Sequence, residues 1–474
     1  MRYLLFGTGD YYERYKKWFY KEEIVALLDN AKSKQHTYID GILVLSPEEG
    51  LTLDFDKIII LALYKEAMTK QLLELGVKQE DIYHLGDVPM LVKGRMSVGK
   101  ILQYGEIERF FSSAFEGKKK VILISHELTI GGAPLALFQA AKVLKKEGYN
   151  VLYASMIDGP LKAMLLEEGI PVVVDERMQI ATLCDIEWIQ GIDLLLCNTI
   201  FMYRILSQRD TKLPTIWWLH DSEFFYDTVD KEILKGIQRQ NLKILSVGQV
   251  PERNIKKYLT DIEVDDLLYG VEDIISGDTE DKETDNICFA TIGYIEPRKA
   301  QDILVSAIMR LGADVLEQCN FLFVGNATSQ MAAKLKEICV NIPQIKFTGV
   351  VGRDEIHTIL SKTDMLICPS REDPMPTVVA EAFMHKHPVI LSDATGFVRY
   401  VHEGENGILF ESENVDELVD RIRWCVQHKE MLPKMGEIAR GTYENTFSME
   451  AFKKNLIELV EEAIGSSNED SKGE

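Results

Sequence analysis

The feature that most restricts this chain is an alternation. Short β-rich runs, apolar at nearly every position, are each followed by a longer segment with helical apolar spacing. Arg2–Phe6, Ile24–Leu28 and Lys57–Leu61 open the series. Val121–Ser125, Asn150–Ser155, Pro171–Val174, Leu194–Cys197, Thr215–Leu219 and Ile244–Val247 continue it. Cys288–Ile292, Asn320–Val324, Ile345–Thr348, Met365–Cys368 and Pro388–Leu391 complete it. A continuously apolar strand must be covered on both faces, and the intervening helices supply that cover, so the pattern predicts parallel sheets between helical layers.

The strands fall into three clusters separated by polar breaks, and 474 residues exceed what one core can hold, since cores stop growing at roughly 250–300 residues. The expected architecture is therefore α/β, with three Rossmann-like parallel-sheet domains. Residues 1–92 read as a small first domain and 93–118 as a helical connector. Residues 119–280 and 281–446 read as two further domains, with an acidic hinge at SGDTEDKETDN (276–286). A last amphipathic helix is expected over 447–465, and the small polar residues of 466–474 predict a disordered tail.

Charge narrows the function. With 75 acidic and 53 basic residues the formal net charge is -22, which repels phosphate backbones and argues against nucleic acid as a partner. A local basic pocket for one nucleotide diphosphate remains compatible with it. The seven cysteines are scattered, with no CxxC pair, so neither a disulfide framework nor a zinc site is expected, and a reducing compartment fits. No stretch approaches the ~18 apolar residues of a membrane span. The expectation is a cytoplasmic protein, with room for peripheral contact at the inner face of the cell membrane.

In the first domain, FGTGD (6–10) follows a strand, and Asp29 ends the next strand where a Rossmann ribose ligand would sit. Tyr12 stands where the third glycine of G-x-G-x-x-G belongs, so the reading adopted is a Rossmann-like unit using Gly7 and Gly9 for a tight turn. In the second domain, Gly131 and Gly132 place bare backbone between a strand and a helix, where a ligand can reach free N–H groups. The strand WWLHD (217–221) ends in His220 and Asp221 at the edge where open α/β sheets bind ligands, and Asn198 and Thr199 end the neighbouring strand on the same rim. SEFFYD (222–227) adds aromatics for an acceptor groove. The paired aspartates of VDDLL (264–268) sit in a helix-like context and read as a surface feature, so no metal is expected.

The third domain carries the strongest pattern, ICPSREDPMPTVVAEAFMHKHPVILSD (367–393). A buried strand ends at Cys368, and Pro374 and Pro376 keep the next helix from starting earlier, because proline lacks an N–H and fixes its φ. A helix is expected from about Pro376 to Lys386, with first-turn amides at Thr377 and Val378 open to a diphosphate. Asp373 precedes it and Glu381 lies in its second turn, so two carboxylates can flank one ligand.

Asp373 and Glu381 are separated by seven residues, and this spacing with its surroundings resembles the E-x7-E motif of the retaining GT-B glycosyltransferases of family 4. The likeness covers residues 119 to about 462. It implies a GT-B pair, with the acceptor on 119–280, the donor on 281–446 and the site in the cleft between them. It implies that Asp373 contacts the donor sugar and Glu381 the nucleotide ribose, with Glu372 beside the shorter aspartate. IGYIEPRKAQDILVSAI (292–308) resembles the loop whose basic pair binds the donor diphosphate: Lys299 matches the lysine, Tyr294 replaces the arginine, and Arg298 stands nearby to supply that charge. Gly293, Asn326, Gly349, Val350, Met375, Pro376, Thr377 and Val378 fall at donor-binding positions. Gly131, Gly132 and Asn198 fall on the acceptor side, with His220 as a sugar-contacting residue. Lys386 replaces the glycine usual at the helix end.

The resemblance thus implies a hexosyltransferase that moves a sugar from a nucleotide-diphosphate donor to a glycan or lipid-linked saccharide with retention, without metal or other cofactor, in bacterial surface polysaccharide synthesis. Lys299, Arg298 and the helix amides would stabilise the departing diphosphate. A GT-B epimerase and a catalytically silent glycan-binding or partner subunit are the alternatives.

Overall fold

The computed structural model describes residues 1–62, 65–112, 119–274, 285–326 and 329–470. The predicted hinge falls almost wholly outside the described residues, as do the end of the predicted connector and the last four residues of the tail.

Among the described residues three sheets form, as the alternation requires. The first has six strands in the order Tyr38–Ile39, Ile42–Leu45, Ile24–Leu28, Tyr3–Phe6, Lys57–Ile60, Ile82–His84, all parallel except the short outermost Tyr38–Ile39. The second runs Asp265–Asp266, Leu242–Ser246, Thr215–Leu219, Leu194–Asn198, Lys120–Ser125, Asn150–Ser155, Val172–Asp175, Ile101–Tyr104. The third runs Ile345–Gly349, Cys319–Val324, Ile287–Ile292, Met365–Cys368, Val389–Ser392, Gly407–Phe410 and is parallel throughout. Most positions in the inner strands are buried, which is why they read as unbroken apolar runs.

Several expectations need correction. The segment expected as a helical connector contains the strand Ile101–Tyr104, paired antiparallel to Val172–Asp175. Its apolar spacing suits a helix equally well, but Gly105 at φ 79° turns the chain, and the open edge of the second sheet supplies hydrogen bonds that a lone helix turn cannot match. The aspartates of VDDLL lie in an edge strand, Asp265–Asp266, rather than a helix. The final helix runs from Met449 to Asp470, so the backbone of 466–470 is helical; without a proline to stop it, each further residue adds one hydrogen bond to an existing helix. Ile42–Leu45, Ile82–His84 and Gly407–Phe410 are strands absent from the sequence reading.

That final helix returns from the third domain to the second. Phe452, Leu456, Val460 and Ala463 recur at helical spacing and are buried. They sit in the same apolar core as residues of both sheets, and the Phe452 ring stacks on Trp218 with centroids 6.0 Å apart. Burying each of these larger side chains contributes about 1.5–3 kcal/mol. The helix therefore ties the two domains together behind the cleft.

Candidate donor and acceptor site

In the third sheet the chain leaves Ile287–Ile292 to one side and later returns to its other side with Met365–Cys368. The carboxyl ends of these two strands mark the point where strand order reverses, which is where open α/β sheets bind ligands. A cleft opens there, lined by Thr291, Lys299, Cys368, Pro369, Ser370 and Val378 among others.

The sequence builds this point from two loops. After Ile292 come Gly293 and the 3-10 turn Pro297–Lys299, then Ala300 in the left-handed region at φ 55°. An L-residue pays about 1–2 kcal/mol for that conformation, so packing must hold it. Gln301 Nε2 donates to the Tyr294 carbonyl at 2.9 Å, closing the loop. After Cys368, Arg371 locks the second loop onto the first. Its guanidinium forks onto Asp302 at 3.0 and 2.7 Å, also pairs with Glu413 and donates to the Pro297 carbonyl, while its N–H donates to the Arg298 carbonyl at 2.9 Å. The result is an ion pair between Lys299 Nζ and the Asp373 carboxylate, which is only 5% exposed.

The helix Thr377–Met384 begins beside this pair. Pro376 precedes it in extended conformation, and among the described residues no side chain caps its start. Thr377 is exposed and Val378 partly so, while Glu381 is 9% exposed. A first turn without a side-chain acceptor leaves amide donors and the positive dipole end for an anion. Gly396 lies against the Pro374 carbonyl, where a Cβ would come within 1.8 Å of the oxygen, so only glycine lets that loop approach. At the helix end Lys386 takes the left-handed conformation a glycine would favour (φ 62°).

The other residues expected on the donor side lie along the same edge. Gly293 donates its N–H to Val324, and Gly325 to the Gly349 carbonyl. A Cβ on Gly325 would sit 2.0 Å from the Gly293 oxygen, so these strand ends touch through bare backbone. Gly325, Arg371 and Asp302 were not singled out from sequence. A glycine following an apolar strand, like Gly293, was the available signal for the first. Asn326 accepts the Ile295 N–H at 3.1 Å through its carbonyl, and Val350 is exposed. Arg298 pairs with Glu296 at 2.9 Å and reaches the Glu372 carbonyl at 3.3 Å, while Tyr294 is exposed. Glu372 itself points across the cleft: its carboxylate accepts the Glu223 N–H of the second domain at 2.8 Å. Met375 is buried, its carbonyl accepting the Tyr269 hydroxyl at 3.0 Å and its side chain lying against Gly248.

On the second domain, Gly131 precedes the helix Gly132–Lys146, and nothing lies within 4 Å of the place a Gly132 Cβ would take. Asn198 is fully buried: its Nδ2 donates to the Ala133 carbonyl at 2.8 Å, which places it behind the glycine loop. The imidazole of His220 lies 4.5 Å from the Trp218 ring, with Nε2 buried and without a hydrogen-bond partner among the described residues. Burial, reinforced by His126, pushes its pKa down to about 3, so the ring is neutral at ordinary pH. The carboxyl of the adjacent Asp221 is pushed up by burial to about 7, although it accepts the Ile200 N–H at 2.7 Å. His126, unremarked in the sequence, ends the central strand of this rim; burial lowers it to about 4, and its Nδ1 lies 3.3 Å from Thr199 Oγ1.

In the first domain, Gly7 turns the chain at φ 107° against the Leu61 carbonyl, and Tyr12 is a core residue. Asp29 is held by the Thr8 hydroxyl and, at 3.2 Å, by Lys34, and these partners outweigh its burial to keep the carboxyl low. Gly9, by contrast, has φ -97° and open space where a Cβ would stand, so only Gly7 needs to be glycine for the turn.

Among the described residues, no group of three or more His, Cys, Asp and Glu side chains is placed to hold a metal ion, and no helix is long and apolar enough to cross a membrane. Cys197, Cys319, Cys339, Cys368 and Cys425 are buried free thiols.

Comparison with known proteins agrees with this geometry. Residues 117–251 match the model described as glycosyl-transferase family 4, residues 274–442 the model described as glycosyl transferases group 1, and residues 1–83 a model described as C2185-like, N-terminal. An uncharacterized glycosyltransferase of Methanocaldococcus jannaschii is 27% identical over 173 residues, 36% of this chain and 47% of that one. The D-inositol 3-phosphate glycosyltransferase of Corynebacterium glutamicum is 26% identical over 187 residues, 38% and 44% of the two chains. The chain thus spans less than half the length of these curated relatives. Among solved structures, Anabaena HepE in complex with UDP and glucose superposes over 73% of this chain and 100% of its own, with a TM-score of 0.62 and 17% identity. Sucrose-phosphate synthase from Thermosynechococcus elongatus covers 74% and 100%, with a TM-score of 0.59 and 15% identity. Both halves of the cleft thus match glycosyltransferase family models, 117–251 that of family 4 and 274–442 that of group 1, and the architecture is the GT-B fold.

Proposed function

We infer that this protein transfers a hexosyl group from a nucleotide-diphosphate sugar to a hydroxyl of a glycan or lipid-linked saccharide, with retention at the anomeric carbon. The observation that carries the reading is the arrangement at the switch point of the third sheet. Lys299, Asp373 and the uncapped start of Thr377–Met384 converge there and face the strand-end rim of the second sheet. The diphosphate belongs on the Thr377 and Val378 amides with Lys299 over it, Asp373 toward the sugar and Glu381 toward the ribose. Charge on the departing diphosphate would be met by a cation and oriented N–H groups already in place, the kind of preorganisation that lowers a barrier without a strong base. No metal ligand set enters the scheme. Neutral His220 would hydrogen-bond rather than transfer a proton at neutral pH.

UDP-sugars are the first donors to try, because the related HepE fold is known with UDP and with UDP-glucose. A role in surface polysaccharide synthesis fits relatives such as a lipopolysaccharide core glycosyltransferase of Rhizobium meliloti. The test is incubation with a panel of nucleotide sugars, following nucleotide diphosphate release with and without saccharide acceptors, and NMR of the product anomer. Acceptor-dependent release with retained configuration supports the reading. Donor left intact under every condition, epimerised donor, or an inverted product would defeat it.

A further inference from the structure

The first domain sits on the same edge of the second sheet that the third domain faces. Glu127 follows strand Lys120–Ser125, Glu176 follows Val172–Asp175, and Asp227 and Thr228 follow Thr215–Leu219. Each is met from the first domain. Arg14 Nη2 lies 2.8 Å from Glu127, Lys17 Nζ lies 2.7 Å from Glu176, and Lys65 donates to the Asp227 carbonyl. Gly86 approaches Thr228 so closely that a Cβ would sit 2.6 Å from its carbonyl oxygen. The third domain takes the other end of the edge through Glu372 on Glu223, Met375 beside Gly248 and Arg399 on Asp266.

Between these two contacts lie the glycine loop, Thr199 and His220. Glu127 is the pivot. One carboxylate oxygen takes Arg14, the other accepts the Thr129 hydroxyl at 2.8 Å, and the Glu127 carbonyl accepts the Ser125 hydroxyl at 2.8 Å. The next residue back, His126, meets Thr199, which has φ 75° and ψ 164°. That backbone is strained for a β-branched residue and persists only where surroundings over-determine it, a condition concentrated at functional sites. The Trp217 indole N–H donates to the Thr199 carbonyl at 2.7 Å and holds it. The half-buried rings of Phe201 and Phe225, 5.6 Å apart beside His126, give the rim an apolar wall with polar groups around it. A saccharide, with C–H faces and hydroxyl edges, suits that lining.

We propose that the first domain completes the acceptor site, and that Arg14 is a positioning residue which, through Glu127, fixes the 126–132 loop against the rim where the saccharide binds. The acceptor assignment rests on the transferase reading; the positioning does not. The decisive experiment is hydrogen exchange by mass spectrometry on the full chain with R14A, R14K, E127Q and R14A/E127Q. Amides of Leu128–Gly132 should exchange about tenfold faster in R14A, equivalent to about 1.4 kcal/mol of lost local stability. R14K should recover most of that protection, and R14A should add nothing in the E127Q background. Unchanged exchange in this loop, or acceleration spread over all three sheets, overturns the proposal. With UDP-glucose and p-nitrophenyl α-glucoside as probes, R14A should raise the acceptor KM at least tenfold and leave the donor KM in place; an unchanged acceptor KM overturns the acceptor role. A wild-type chain that turns over no nucleotide sugar of the whole panel instead removes the transferase reading, and the exchange comparison, which uses no substrate, still decides the positioning.

Discussion

Lys299 Nζ is ion-paired with the Asp373 carboxylate, a contact bridging two loops that leave neighbouring strands of the third sheet. The cation assigned to the diphosphate and the carboxylate assigned to the sugar neutralise each other before donor arrives. The carboxylate is almost wholly buried, so the pair holds the loop geometry, and a donor bound as proposed would share the lysine with the acid.

Two substitutions separate these roles. Lys299→Ala should weaken UDP binding about 10–100-fold, the cost of losing a charge-assisted hydrogen bond of about 1.5–3 kcal/mol. Asp373→Asn should leave UDP affinity equal or tighter, because a negative charge beside the diphosphate is gone, yet reduce turnover at least about 100-fold. Calorimetry for UDP and steady-state kinetics for the donor sugar check both. Equal weakening of UDP by both variants would refute the division of labour.

Glu381 lies in the second turn of the helix whose start is assigned to the diphosphate, one face along from Val378. Glu381→Ala should raise donor KM about tenfold or more, with kcat less affected, since a ribose contact is made alike in ground and transition states. Thermal unfolding should confirm that the fold survives. Kinetics identical to wild type would remove Glu381 from the ribose.

The legible parts of this protein are those where a local pattern has one physical outcome. The strands of the third domain are buried on both faces, so Met365–Cys368 and Val389–Ser392 read as apolar runs, and Asp373 and Glu381 fall near one helix start because prolines fix where that helix begins. What stayed hidden depends on distant partners. Arg371 forks onto Asp302, 69 residues away, and Arg14 reaches Glu127 across 113. Ile101–Tyr104 becomes a strand because a sheet edge is there to receive it. Asn198 stands at a strand end as expected, but whether such a side chain faces the cleft or holds the loop behind it is settled only by the packing of Ala133.

His220 is packed on Trp218, so His220→Ala would mix a cavity cost of about 2 kcal/mol or more with any effect on chemistry. His220→Gln keeps much of the volume and a hydrogen-bonding end. It should lower turnover at least about tenfold while shifting Tm by only a few degrees. Because His220 titrates near 3, the wild-type rate profile should show no limb from it between pH 5 and 8. A large Tm loss with undiminished turnover would make it a core histidine.

Gly436 faces the carbonyl of Lys386, and a Cβ there would lie 1.9 Å from the oxygen. Lys386 is itself in the left-handed region after the helix that carries Glu381, so the clash falls on a turn with little freedom to shift. Gly436→Ala should destabilise the protein by about 1–3 kcal/mol, the range for forced overpacking, read as a lower midpoint in urea. An unchanged midpoint would mean that the turn relaxes freely.

The last prediction concerns Asp221, whose carboxyl is pushed up by burial to about 7 from a usual value near 4. The folded protein keeps this group protonated between those two values, whereas the unfolded chain releases the proton. Full stability from this group is therefore present below pH 4 and declines as pH rises through 7, by an amount on the order of 4 kcal/mol for the whole shift. The lowered histidines act in the opposite sense, costing stability as pH falls from 6.5 toward 4 and 3. Asp221→Asn keeps an oxygen to accept the Ile200 N–H and removes the ionisation. The variant should match the wild type near pH 4 and exceed it at pH 8 by several degrees in Tm, with the gap opening between about pH 4 and 7 and level above that. Parallel Tm curves across that range would show that Asp221 is ionised in the fold at far lower pH.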